Sequence, residues 1–160
     1  MRSIIQVYLE YEEDVIRDIE ISSTSNLEEL HYSIITAFQL KKNELASFYI
    51  TNKEFELLQE IPLLNVDEKE NPMLVMNKII ISSILTKQGD QLLYVYDFMK
   101  MWRFLITLIE KKKETISQPK CIKSVGEIPK DAPEIIFEEV KRFDPFDEDI
   151  FDESNDYEQY

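Results

Sequence analysis

The side chains able to do chemistry in this sequence are few and scattered. Tyr96-Asp97-Phe98 sets a carboxylate between two aromatic rings at what reads as a strand end. An acid there is buried with a partner, placed for proton transfer, or spent on a turn, and the turn needs no catalytic role. His31 falls just off the apolar stripe of an expected helix. Its imidazole, with Asp97, makes the one acid-base pair worth weighing, but no nucleophile with a matching context accompanies it. A partly buried structural histidine is the plainer reading. Cys121 is flanked by Lys120 and Lys123, a setting for a reactive thiol, yet it has no partner base and reads as an ordinary small residue.

Other common chemistries lack their raw material. With only 2 glycines, Gly89 and Gly126, the chain has no phosphate-cradling glycine loop. One histidine and one cysteine give no zinc spacing, and Asp147, Asp149 and Asp152 lack the glycine and oxygen order of a calcium loop. No metal and no cofactor is expected. The contact candidates are instead Tyr96, Asp97 and Trp102, joined by Phe146 and Phe151 further on.

These residues must be held by a sheet. The run Gly89 to Glu110 contains two apolar-aromatic segments, Leu92 to Phe98 and Trp102 to Glu110, around the short break Met99-Lys100-Met101, which predicts a hairpin near 92–110. Ile5, Val7, Leu9 and Tyr11 alternate with polar residues, and Ile19 and Ile21 do the same after the acidic turn Glu12-Glu13-Asp14, predicting a strand pair. Ser25 with Glu28 forms a capping box ahead of a helix whose stripe is Leu27, Leu30, Ile34, Ala37 and Phe38. Phe48 to Thr51 and Phe55 to Leu58 predict another strand pair, followed by a loop over Glu60 to Pro72. Ile79 to Leu85 fits a short buried helix better than a strand. Thr115 to Pro133 is an ordered loop or one more short strand, and Asp131 and Pro133 would open a C-terminal helix with Ile136, Val140 and Phe143 on its apolar side. The order of elements gives α+β with a mainly antiparallel sheet.

The chain has 160 residues, 44% of them hydrophobic, with 9 Phe and 8 Tyr, enough for one domain with a full core. That domain is expected over 1–142. Residues 143–160 carry 8 acids and no bases, interleaved with Phe146, Ile150, Phe151 and Tyr157, and read as a disordered acidic-aromatic tail or recognition peptide. The net charge of -14 disfavours nucleic-acid binding, for which Lys41-Lys42 and Lys111-Lys112-Lys113 are the candidate local clusters. There is no signal-peptide pattern and no apolar run approaching the roughly 18 residues of a membrane span. A single cysteine sets no demand for an oxidising compartment, so a cytoplasmic location is the default expectation.

Three segments carry a resemblance: LEELHYSIITAF (Leu27 to Phe38), GDQLLYVYDF (Gly89 to Phe98) with Trp102 and Glu110 after it, and CIKSVGEIPKDAPE (Cys121 to Glu134). In this order they resemble the plasmid pRi ORF-three-like family, some members of which are insertion-element passenger proteins. The resemblance covers most of residues 4–142 and implies an α+β domain with no established activity. Longer members look like Tyr-Asp-Phe-Gly-Asp-x-Trp-x-His where this chain has Met99, Lys100 and Phe104. Their cysteine-rich segment is reduced to Cys121, with Pro129 and Asp131 kept, and a histidine near the third strand is replaced within Glu44 to Phe48. Any His and Cys site of those relatives has no counterpart here, which marks the chain as a short, acidic branch.

The expected function is a non-enzymatic cytosolic binding module that engages another protein through the sheet face, the 143–160 tail, or both. The alternative is a mobile-element-associated protein acting on DNA or a DNA-bound partner. An enzyme built on Asp97 and His31 ranks last.

Overall fold

The computed structural model describes residues 1–133 apart from 42, 55 and 65–73. Seven strands, β1 (Arg2–Leu9), β2 (Ile16–Ser22), β3 (Ala46–Thr51), β4 (Leu57–Pro62), β5 (Gln91–Tyr96), β6 (Trp102–Lys112) and β7 (Lys120–Val125), build one sheet in the order β4-β3-β5-β6-β1-β2-β7. Every pairing is antiparallel. One long helix, α1 (Leu27–Phe38), lies on one face, so the α+β class holds with the sheet dominant. The expected C-terminal helix after Pro133 lies outside the described residues.

Alternation explains the core. Ile5, Val7, Leu9, Ile19, Ile21, Tyr94, Phe104 and Ile106 are all at most 1% exposed and pack in the same cluster as Leu27, Leu30, Ile34 and Phe38 of α1. Burying each large aliphatic or aromatic side chain stabilises the fold by about 1.5–3 kcal/mol. Phe38 and Phe104 meet with ring centres 4.9 Å apart, joining helix to hairpin.

The helix start differs from expectation by one residue. Asn26 is the cap: its side chain accepts from the Glu29 amide at 2.9 Å, and Glu29 Oε1 accepts from the Asn26 amide at 3.0 Å. Ser25-x-x-Glu28 and Asn26-x-x-Glu29 satisfy the same rule, and a tertiary contact decides between them. The Ser25 carbonyl accepts from Ile81 and the Leu27 amide donates to the Ile79 carbonyl, both at 2.9 Å, so Asn26 is held extended against Ile80. The same contact shortens the expected helix over Ile79 to Leu85. Residues 79 and 80 are extended, a 3-10 turn occupies Met76–Lys78, and only α2 (Ile81–Ile84) is helical.

The fourth strand also begins later than expected. Asn52 Oδ1 accepts from the amides of Glu54 and Glu56 at 2.9 and 3.0 Å, which prolongs the turn and moves β4 from Phe55–Leu58 to Leu57–Pro62. Four residues in that strand, Leu57 to Glu60, are exposed at the sheet edge, so no alternation announces it. Pro62 at the end of an edge strand has no ladder hydrogen bond to lose.

Candidate functional site

Three stretches far apart in sequence meet at the C-terminal end of α1. Phe38 to Lys41 come from the helix end, Tyr96, Asp97, Lys100 and Trp102 from the β5–β6 turn, and Ile128 to Asp131 from the segment after β7. Together they line a cleft of about 430 Å³. All three segments that carry the family resemblance contribute residues to it.

Local chemistry fixes each wall. Gln39 ends α1 in the left-handed region, at φ 56, and Leu40 returns its amide to the Ile35 carbonyl at 3.0 Å. Arg17, buried on β2, holds the same helix end. Its Nε donates to the Ala37 carbonyl at 3.2 Å, its Nη1 donates to the Val125 carbonyl at 2.9 Å, and its guanidinium lies 5.0 Å from the centre of the Phe38 ring. Gly126 follows at φ 75, where an added Cβ would stand 2.1 Å from the Asp14 carbonyl oxygen. Only glycine turns the chain there, and that turn delivers Ile128 to Asp131 to the cleft.

The hairpin turn supplies the third wall. Asp97 sits at φ 61, its carbonyl accepts from Met101 at 2.6 Å, and its Oδ1 accepts from the Met99 amide at 3.1 Å. Asp97 is thus a turn-forming acid, with its carboxylate engaged by backbone amides. Among the described residues, the non-glycine positions with positive φ are Gln39, Asn43, Asp97 and Met101. Each lines the cleft or lies within two residues of one that does, so strained backbone of order 1–3 kcal/mol per position gathers at this point.

The floor is aromatic. Phe38, Tyr96 and Trp102 are 1%, 2% and 7% exposed. The Tyr96 hydroxyl is buried and has no hydrogen-bond partner among the described residues, an omission that costs about 1–3 kcal/mol. Burial first, then the charges of Glu44 and Asp97, push its pKa up to about 12, so the hydroxyl keeps its proton. Lys41, Lys100 and Lys130 are exposed around the rim, each from a different wall. None forms an ion pair among the described residues.

His31 does not join this cleft. It is 1% exposed, its Nδ1 is hydrogen-bonded to the Tyr94 hydroxyl at 2.7 Å, and burial lowers its pKa from 6.5 to about 4. Asp97, engaged by its own turn, is not within reach of it. Cys121 lies on a second cleft of about 380 Å³, between the flank of α1 and the start of β7. Its Sγ donates to the Lys123 carbonyl at 3.2 Å. No group of three or more His, Cys, Asp or Glu among the described residues is placed to hold a metal ion, and no described helix is long and apolar enough to cross a membrane. Phe146 and Phe151 lie outside the described residues.

Sequence reasoning singled out Tyr96, Asp97 and Trp102, and these three share one cleft. It placed Lys41 only in a candidate nucleic-acid cluster and missed Lys100, Lys130 and the positioning roles of Arg17 and Gly126. Gly126 carried a signal, being one of only 2 glycines in the chain; the lysines carried none, because isolated surface lysines are the commonest solvated charge.

A seven-stranded antiparallel sheet with one long helix and an aromatic, lysine-rimmed cleft at the helix end defines a small α+β domain with no assembled reactive set among its described residues. The same fold is seen in the crystal structure of a protein of unknown function, MM3350, from Methanosarcina mazei Go1, with a TM-score of 0.61 at 19% identity over 77% of this chain and 68% of that one. The chain belongs to the plasmid pRiA4b ORF-3-like protein family, which it matches over residues 3–155. No curated protein matches it.

Proposed function

We propose that the chain is a non-enzymatic binding module that recognises another protein through the tip of the β5–β6 hairpin. The observation that carries this reading is the tip itself. Met99 is 93% exposed and Phe98 40% exposed, on a turn clamped by Asp97 rather than on a free loop. Two large apolar side chains presented in water on a turn whose backbone is already held can dock without the cost of ordering that backbone, which is the profile of an interface anchor. The outer sheet face and residues 143–160 are the other surfaces this reading allows for the contact.

The test is capture of partners from a lysate of the source cells by the immobilised full chain, read by mass spectrometry. One specific partner is expected, with retention falling at least about tenfold on Met99→Glu. Recovery of no partner, or equal recovery by the variant, would defeat the reading. The mobile-element alternative rests on Lys111 to Lys113, two of which close β6. It requires duplex binding that weakens with salt and with alanine at those lysines.

A further inference from the structure

We infer that the cleft at the end of α1 is a binding site for a small aromatic carboxylate, with its ring against Phe38 and Trp102, a polar atom at the Tyr96 hydroxyl, and its carboxylate on the lysine rim. This ligand is independent of any protein partner. Three observations converge on it.

The cleft, at about 430 Å³, falls in the usual range for small-molecule sites, and its floor is aromatic. Side chains that flat and that well packed favour a planar guest, which keeps ring-to-ring contact at little entropic cost. The second observation is the Tyr96 hydroxyl. It belongs to a residue 2% exposed that lines the cleft, and it has no partner among the described residues. A buried donor without an acceptor is explained when a ligand supplies the acceptor.

Charge is the third. Lys41, Lys100 and Lys130 border the cleft from three different walls, against Asp97 and Asp131. The Asp97 carboxylate is already committed to the Met99 and Lys100 amides. The lining thus sets three cations against two carboxylates, one of them fixed to its own turn, with Glu44 close to Tyr96, so the rim is far less repulsive to an anion than the rest of a protein whose total charge is -14. The other cleft has no buried unpartnered group on its lining among the described residues, and three of its polar side chains are engaged: Glu29 caps α1, Ser33 Oγ donates to the Glu29 carbonyl at 2.8 Å, and the Cys121 thiol is bonded to Lys123.

Trp102 is the single tryptophan of the chain and lines the site, so its fluorescence reports occupancy directly. The full chain is titrated with 4-hydroxyphenylacetate, with its neutral amide, and with the cation tyramine. The acid is expected to change Trp102 emission with an affinity in the micromolar to millimolar range, the amide to bind about fivefold more weakly, and tyramine not to bind. Tyr96→Phe and Lys100→Glu are each expected to weaken the acid about fivefold while far-ultraviolet circular dichroism stays unchanged. The inference is overturned if tyramine matches the acid, if Tyr96→Phe binds it as the wild type does, or if neither Trp102 emission nor backbone amide resonances around the cleft respond to any of the three compounds. A hairpin-tip partner lost on Met99→Glu would stand whatever this titration gives, and a bound aromatic acid would stand without such a partner.

Discussion

The two ends of β7 border two clefts of similar size and opposite character. At its start, Pro119 to Cys121 face the flank of α1 across a cleft holding the chain's single cysteine; beyond its end, Ile128 to Asp131 face the helix terminus across a cleft holding the single tryptophan. From sequence, the cysteine cleft has the more reactive atom. Its thiol and the Glu29 carboxylate are nevertheless engaged within the chain, while among the described residues the tryptophan cleft keeps a buried unpartnered hydroxyl, unpaired lysines and strained turns. Unmet polar capacity, rather than concavity or a nucleophile, separates a surface dent from a site.

The comparison breaks most sharply at Gly126, which feeds only the tryptophan cleft. In Gly126→Ala the new Cβ would stand 2.1 Å from the Asp14 carbonyl oxygen and 3.2 Å from Val15 Cα, at φ 75. Both obstacles are backbone, so the turn leading into β2 or the segment after β7 must move, at a cost of more than about 3 kcal/mol. Gly89→Ala is the control. Its φ is 95 but nothing lies within 4 Å, and only the left-handed penalty of about 1–2 kcal/mol applies. Urea unfolding of both variants reads the difference, and equal losses would remove Gly126 as the residue that sets this wall.

Next in size is the acid response of the helix that serves both clefts. His31 adjoins Tyr32 of the cysteine cleft, and its partner Tyr94 stands two residues before Tyr96 of the other. In the fold His31 titrates at about 4, against 6.5 as its ordinary value. Between those values the unfolded chain holds the extra proton, so stability falls as pH drops from about 6.5 toward 4, by up to about 3 kcal/mol. His31→Gln should be less stable than the wild type near neutrality and show a shallower decline to about pH 5 in urea midpoints. A wild type with no such decline would contradict a neutral, buried imidazole.

What the sequence disclosed follows period and burial. The 92–110 hairpin, the first strand pair and the α1 stripe were legible because their apolar residues repeat at two or at three and four, and the structure places them where the pattern does. The misplaced boundaries at Asn26 and Ile81 were set by contacts between distant segments, such as Leu27 with Ile79, that no local window contains, whereas the one at Leu57 follows the Asn52 turn into an exposed strand with no alternation to mark it. Tyr96, Asp97 and Trp102 stood out as aromatics around an acid. The lysine rim did not, because it is assembled from three walls that only the fold brings together.

Tyr96→Phe sharpens the contrast from the stability side. Deleting a buried hydroxyl that has no partner among the described residues removes a desolvation penalty without opening a cavity, since the ring is retained. The variant should be more stable than the wild type by about 1 kcal/mol in urea unfolding. A variant of lower stability would mean that the hydroxyl is satisfied in solution, and the tryptophan cleft would lose its distinguishing feature.

The smallest effect belongs to the cysteine cleft. Cys121 is exposed at the sheet edge, and its thiol makes a single contact, to the Lys123 carbonyl two residues on. Serine preserves a donor of similar size, so Cys121→Ser should change stability by no more than about 0.5 kcal/mol. The response of Trp102 fluorescence to 4-hydroxyphenylacetate should also be unaltered, because Cys121 does not line that cleft. A loss approaching that of Gly126→Ala would mean that the two ends of β7 act as one unit, with the thiol contact fixing the strand that positions both.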